Sequence, residues 1–199
     1  MPSQKIIAAV IIAFSLILSV AFYIFLLKEH LNRKTLPMMG RVSNFQLIDT
    51  QGKDITLKDL KGKIWVVDFI FTTCGGICPM MSQNMARLYE HFHGDNRVHF
   101  VSISVNPEND TPEVLAEYAK RYSADPNRWH FLTGPREMIE QLAVSGFKVG
   151  SAKEPVFHSA YFILVDTQGL IRQYYEGTQK ESIGKIKTDI EILLQEKIR

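Results

Sequence analysis

The 199-residue chain has little cysteine: two residues, Cys74 and Cys78. Two are too few for the disulfide scaffold of a small secreted domain. With none left over, they form a redox pair, supply two ligands to one metal, or sit unrelated in a core. Charge is also scarce in the net, at +2 with histidine neutral. No basic stripe interleaved with aromatic residues appears, so nothing points to nucleic acid. Internal repeats and low-complexity segments are absent. What remains has room for one ordinary domain plus an appendage.

The appendage is N-terminal. Residues 6–27 form an apolar run interrupted only by Ser15, Ser19 and Tyr23. At 1.5 Å rise per residue the run spans roughly 33 Å, enough for the hydrocarbon core of a bilayer. It is longer than a signal-peptide core, and no clear Ala-x-Ala site follows it. No cysteine lies there to take a lipid. The expectation is an uncleaved membrane anchor in residues 1–30, a tether in 31–40 and a globular domain in 41–199. Lys5 lies on one side of the run and Lys28, Arg33 and Lys34 on the other, so charge alone does not orient it.

Within the domain, residues 64–71 read as a buried strand rich in β-branched and aromatic side chains. Short strands are expected at 45–49 and 55–57, joined by a turn at 50–53. The spacing of Met81, Met85, Leu88 and Phe92 predicts a helix over 80–92, ended by Gly94. Residues 98–105 alternate as a second buried strand. Thr111 and Pro112 suit the N-cap and first turn of a helix over 113–122. A strand at 129–132, a helix at 135–144 and an irregular stretch at 147–155 follow. Residues 158–165 and 170–175 make a hairpin. The last helix starts near Lys180, with Thr178 and Glu181 as a capping box and Ile183, Ile186, Ile190 and Leu194 as its core stripe. This order implies an α/β fold, a mixed sheet covered on both faces. A cysteine pair that follows the first long strand and opens a helix is the thioredoxin-like placement.

Both cysteines fall in the stretch from Thr72 to Met81. Pro79 fits the first turn of a helix, so Cys78 lies at a helix N-terminus and Cys74 in the loop before it. Gly75 and Gly76 imply a sharp bend or a close approach to the backbone. Partial positive charge and unpaired N–H groups at a helix start favour a thiolate. The Cys-x-x-x-Cys spacing is one residue wider than that of the common redox motif. It can close a disulfide or aim both sulfurs at a soft metal: copper(I), zinc or iron.

Two ligands seldom suffice, which directs attention to the histidines. His30 flanks the apolar run, and His91 and His93 fall at the exposed end of a helix. His99 and His130 lie in strands, facing core or surface. His158 begins the hairpin and can face the cysteine loop, but a lone histidine there is more often a structural residue. Met38, Met39, Met80 and Met81 are either core residues or weak thioether ligands.

Three stretches together resemble the Sco/SenC family: Phe71 to Pro79, Ser104 to Pro112, and Phe157-His158-Ser159 followed by Asp166 to Gly169. The resemblance covers residues 40–197 and the anchor. It implies a membrane-anchored, thioredoxin-like copper protein that assists assembly of cytochrome c oxidase. Copper ligation then falls on Cys74, Cys78 and His158. The partner is an oxidase subunit carrying the dicopper centre, and the domain lies on the outer side of the bacterial inner membrane. Two departures stand out. Many relatives carry Pro-Asp where this chain has Gly75-Gly76, and usually Asp where it has Asn106. Asp110 is retained, with a turn or cap as its expected role.

The leading function is therefore a metallochaperone rather than a turnover enzyme, delivering copper or keeping client thiols reduced. The alternative is a thiol–disulfide oxidoreductase using Cys74 and Cys78, with incidental metal binding. No cis-proline opposite the loop is assignable, although Pro155 precedes His158 by three residues. A peroxidase would need a proline ahead of the Thr72-to-Cys74 stretch, and none is there.

Overall fold

The computed structural model describes residues 12, 14–24, 35–150 and 159–196. It divides into two units, Met1–Thr35 and Leu36–Arg199. In the first, residues 14–24 are helical and exposed. Much of the expected anchor lies outside the described residues. Among those described, no helix is long and apolar enough to cross a membrane.

The second unit is built on an eight-stranded mixed sheet. Its strands are β1 (Gly40–Arg41), β2 (Gln46–Asp49), β3 (Asp54–Thr56), β4 (Ile64–Ile70), β5 (Val98–Ser104), β6 (Trp129–Thr133), β7 (Tyr161–Val165) and β8 (Leu170–Glu176). Their spatial order is β1-β8-β7-β4-β5-β6-β2-β3. The central strands β4, β5 and β6 run parallel, and the outer pairs are antiparallel. Every residue of β4 and β5 is buried, as expected of parallel strands covered on both faces.

Alternation along β4 feeds two cores. Trp65, Val67 and Phe69 pack with Val101, Ile103 and Phe147 on one face, beneath α1 (Leu57–Leu60). The helix α4 (Arg136–Gln141) covers the same face. On the other face Val66 and Ile70 join Phe100 and Phe131 beneath α2 (Cys78–Phe92), α3 (Pro112–Lys120) and α5 (Lys180–Gln195). Each fully buried side chain of this size contributes about 1.5–3 kcal/mol. The sheet thus holds the C-terminal end of β4, where the cysteine loop departs, at a fixed place.

Several local expectations are corrected. Leu57 does not continue β3 but opens α1, because Thr56 caps it: Thr56 Oγ1 and N–H both donate to Asp59 Oδ2, at 2.6 and 2.8 Å. The helix expected over 135–144 is α4 followed by a π-helical turn, Leu142–Gly146. A Cβ at Gly146 would lie 2.8 Å from Leu142 Cδ1 and from Ser43 Oγ, so only glycine fits there. The capping box of Thr178 and Glu181 does not form, and Gln179 occupies the N-cap without a side-chain bond. Leu193 replaces Leu194 in the buried stripe. The expected tether carries the edge strand β1, and Arg172 donates to the carbonyls of Leu36 and Pro37.

Arg128 closes the end of α2 away from the cysteines. Its guanidinium is buried and donates to the carbonyl oxygens of Phe92, His93, Asp95 and Val98 and to Asn96 Oδ1, at 2.8–3.2 Å. The Phe92 and His93 carbonyls end α2 and have no partner within the helix, and a cation suits the negative end of its dipole. Arg128→Ala removes the donor to the His93 and Val98 carbonyls, while those of Phe92 and Asp95 keep the N–H groups of Asp95 and Val98. We expect it to lower the unfolding free energy in urea by about 2–4 kcal/mol, with Arg128→Lys recovering little because one ammonium cannot fork.

Candidate functional site

The site begins where β4 ends. After Ile70 the chain turns tightly, with the Cys74 N–H donating to the Phe71 carbonyl at 3.2 Å. It enters α2 at Cys78, with Pro79 in the first turn and Ile77 as N-cap. No side chain caps this helix. The Cys74 sulfur takes that place: N–H groups of Gly76, Ile77 and Cys78 donate to it, as does the Cys78 thiol. Both cysteines are free.

The two thiols are unequal. Cys78 is buried and Cys74 half-buried. Burial raises the Cys74 thiol somewhat, but the hydrogen bonds from Cys78, Gly76 and Ile77 outweigh it, and the net direction is down. Burial pushes Cys78 up to about 12, and the charges of Cys74 and Asp68 add to the rise. Cys74 is therefore the more readily ionised of the two thiols. Cys78 keeps its proton until something displaces it.

Gly75 and Gly76 are not required by the backbone. Neither has a positive φ. A Cβ on Gly75 would meet nothing within 4 Å, and one on Gly76 would meet Cys74 Sγ at 3.8 Å. What they provide is bare, exposed backbone beside the sulfur.

Sequence reasoning missed Asp68. It is wholly buried in β4, and neither carboxyl oxygen has a hydrogen-bond partner. Ser102, whose hydroxyl accepts from Trp129 Nε1 at 3.0 Å, lies opposite it in the β4–β5 register and pulls the carboxyl down by less than burial raises it. Burial therefore prevails and lifts the Asp68 carboxyl from 3.8 to about 7. The available signal was one acid inside an otherwise apolar strand.

Among the described residues the structure brings no histidine to the thiols. His91 and His93 are exposed, as expected. His99 and His130 lie on the opposite face of the sheet from Cys78 and pair with each other, Nδ1 to Nε2 at 3.4 Å. His30, Pro155 and His158 lie outside the described residues. Among the described residues no cluster of three histidine, cysteine or carboxylate groups is placed to hold a metal. Met81 is fully buried core, whereas Met38, Met39 and Met80 are exposed. Thr111 caps α3, accepting from the Val114 N–H at 3.4 Å.

The chain at Ala160 is fixed close to α2. Ala160 accepts from the Gly177 N–H at 2.6 Å. Asn84 Nδ2 donates to the Gly177 carbonyl at 2.8 Å. A Cβ on Gly177 would fall 2.9 Å from Met81 Cε and 3.1 Å from the Ala160 oxygen. Residue 160 is thus held one helical turn beyond Cys78.

Comparison with known proteins agrees with this fold. The SCO1/SenC family model matches residues 35–195. The SCO1 protein homolog of Bacillus subtilis (strain 168) is 34% identical over 160 residues, 77% of this chain and 83% of that protein. Among solved structures, BsSco superposes with a TM-score of 0.72 at 32% identity, covering 82% of this chain and 100% of its own. It is described as a member of the Sco family of cytochrome c oxidase assembly proteins with a disulfide switch. Arabidopsis thaliana ScoI with copper bound gives a TM-score of 0.64 at 26% identity, covering 78% of this chain and 99% of that one. The mixed α/β, thioredoxin-like architecture is therefore shared.

The buried carboxyl gives a pH signature. Its folded value lies above its unfolded one, so the folded protein binds more protons between pH 3.8 and about 7, and stability falls as pH rises through that window. Asp68→Asn removes this slope. The melting-temperature difference between variant and wild type should favour the variant more at pH 8 than at pH 4.5; an equal difference at both pH values assigns the slope elsewhere.

Proposed function

The chain belongs to the SCO1/SenC family, and on that premise we propose that it binds copper through Cys74, Cys78 and His158 during assembly of cytochrome c oxidase. The observation that carries the proposal is the half-open thiol pair at the uncapped start of α2. Two adjacent thiolates suit a soft cation, and imidazole is an acceptable third donor. Cys74 offers the first sulfur. Cys78 then gives up its proton and secures the ion.

The fixed position of Ala160 supports His158 as that donor. Ala160 lies beside α2, and His158 is only two residues from it in the sequence, a span of at most about 7 Å. The partial exposure of Cys74 suits a carrier, because a client's own ligands can reach the ion. We further propose that residues 6–27 anchor the protein in the bacterial inner membrane, with the domain on the outer side. Such an anchor raises the effective concentration toward a membrane-bound client. That client is the oxidase subunit that holds the dicopper centre.

One observation favours a second reading. The pairing of a low thiol with a high one, in hydrogen-bond contact, is also what thiol–disulfide exchange needs. Here Cys74 and Cys78 would keep client thiols reduced, with metal binding incidental.

Copper analysis separates the two. Wild type should retain one copper(I) per chain, Cys74→Ser none, and His158→Ala markedly less while still exchanging disulfides with glutathione. Full copper affinity in His158→Ala would remove the third ligand from the proposal. Apparent affinity should rise about tenfold per pH unit for each proton displaced between pH 6 and 8, with Cys78 supplying at least one.

A further inference from the structure

The base of the cysteine loop is held by a polar bracket outside the site itself. Asp110, in the loop between β5 and α3, is completely buried. Its Oδ1 accepts from Thr72 Oγ1 at 2.5 Å, and its Oδ2 accepts from the Thr72 N–H at 3.1 Å and from Ser104 Oγ at 2.6 Å. Asp110 is itself immobilised. Its N–H and that of Asn109 both donate to the Asn106 carbonyl, at 2.9 and 3.1 Å. Ser104 Oγ in turn accepts from the Asn106 N–H at 3.0 Å. The acid expected to form only a local turn therefore reaches across to the segment that carries Cys74.

Thr72 precedes Cys74 by two residues, and beside the Cys74 N–H bond to the Phe71 carbonyl it supplies the side-chain tie of this segment to the loop after β5. Gly75 has no neighbour within 4 Å of where its Cβ would be, and Gly76 only the Cys74 sulfur. From the far side the loop is fixed by the start of α2; from the near side it depends on Thr72. Charge-assisted bonds from hydroxyl and amide to a buried carboxylate are the strong kind. We propose that Thr72 and Asp110 are positioning residues that set how closely the Cys74 and Cys78 sulfurs are presented to each other. This rests on the reading of that pair as the functional site and adds what holds its geometry.

The test reads the sulfur pair without copper. The full-length, metal-free chain is equilibrated with reduced and oxidised glutathione at pH 7. The dithiol plus one glutathione disulfide exchange for the Cys74–Cys78 disulfide plus two glutathione thiols, so the equilibrium constant is the pair's effective concentration. Thr72→Val keeps the charge of Asp110 and removes one bond. It should lower the effective concentration roughly threefold to tenfold, while Thr72→Ser, which keeps the hydroxyl, stays within twofold of wild type. A purely structural role would lower the melting temperature of both redox forms alike and leave the equilibrium in place. That result, or a wild type that forms no disulfide, overturns the proposal. Should Thr72→Val fail to fold, Ser104→Ala removes another arm of the bracket and carries the same expectation. Failure of copper binding would not alter this readout, so the two ideas fall separately.

Discussion

A helix that begins without a side-chain cap leaves N–H groups pointing at whatever lies before it. In α2 that object is sulfur. The loop must return Cys74 over the first turn, and the turn must start at the second cysteine. Both conditions are set by β4, a strand with no exposed face that ends at a fixed height in the sheet. Strand, bare loop and uncapped helix thus form one device. It lowers one thiol by hydrogen bonding and raises the other by burial.

The inequality of the thiols follows from position rather than composition. Cys74 stands outside the helix and collects its donors; Cys78 is the first helical residue and turns inward among Met81, Ile70 and Phe162. Asp68 lies on that same inner face and opposes a second negative charge. The unpaired carboxyl is costly to stability, since a buried polar group without partners forfeits its hydration. It makes Cys78 the sulfur that stays protonated until a ligand or an oxidised partner takes that proton's place.

What was legible in the sequence was what local pattern encodes. The apolar run of β4, the helical spacing of Met81, Met85 and Leu88, and the Thr111-Pro112 start of α3 each state their element within a few residues. The illegible parts are long-range and polar. Arg128 serves backbone carbonyls some thirty residues earlier, and carbonyls carry no side-chain signature. Asp110 looked like a turn residue because its local sequence is a turn; its partners Thr72 and Ser104 lie on two other segments. The π-helical turn appeared as helix because its apolar spacing hardly differs from the α pattern. Thr178 and Glu181 had the right spacing for a box, but the helix begins so that Gln179 is the cap.

The two departures from the family pattern bear on one property, the charge around the ion. Gly75-Gly76 removes a carboxylate that many relatives carry between the cysteines, and nothing in the packing demands glycine there. Asn106 puts a neutral amide where relatives usually have an acid, and its Oδ1 accepts from Asn109 Nδ2 at 3.0 Å. The acid that remains in that loop, Glu108, is engaged by Arg136. Asp110 is sealed beneath. The rim of the site is therefore less anionic than the family pattern implies, while the bracket below it is intact. Under the proposed function, a carrier with such a rim would hold its ion mainly by sulfur and imidazole rather than by surrounding negative charge, so its grip would depend on geometry. That places the weight of function on the few bonds that fix Thr72 and start α2.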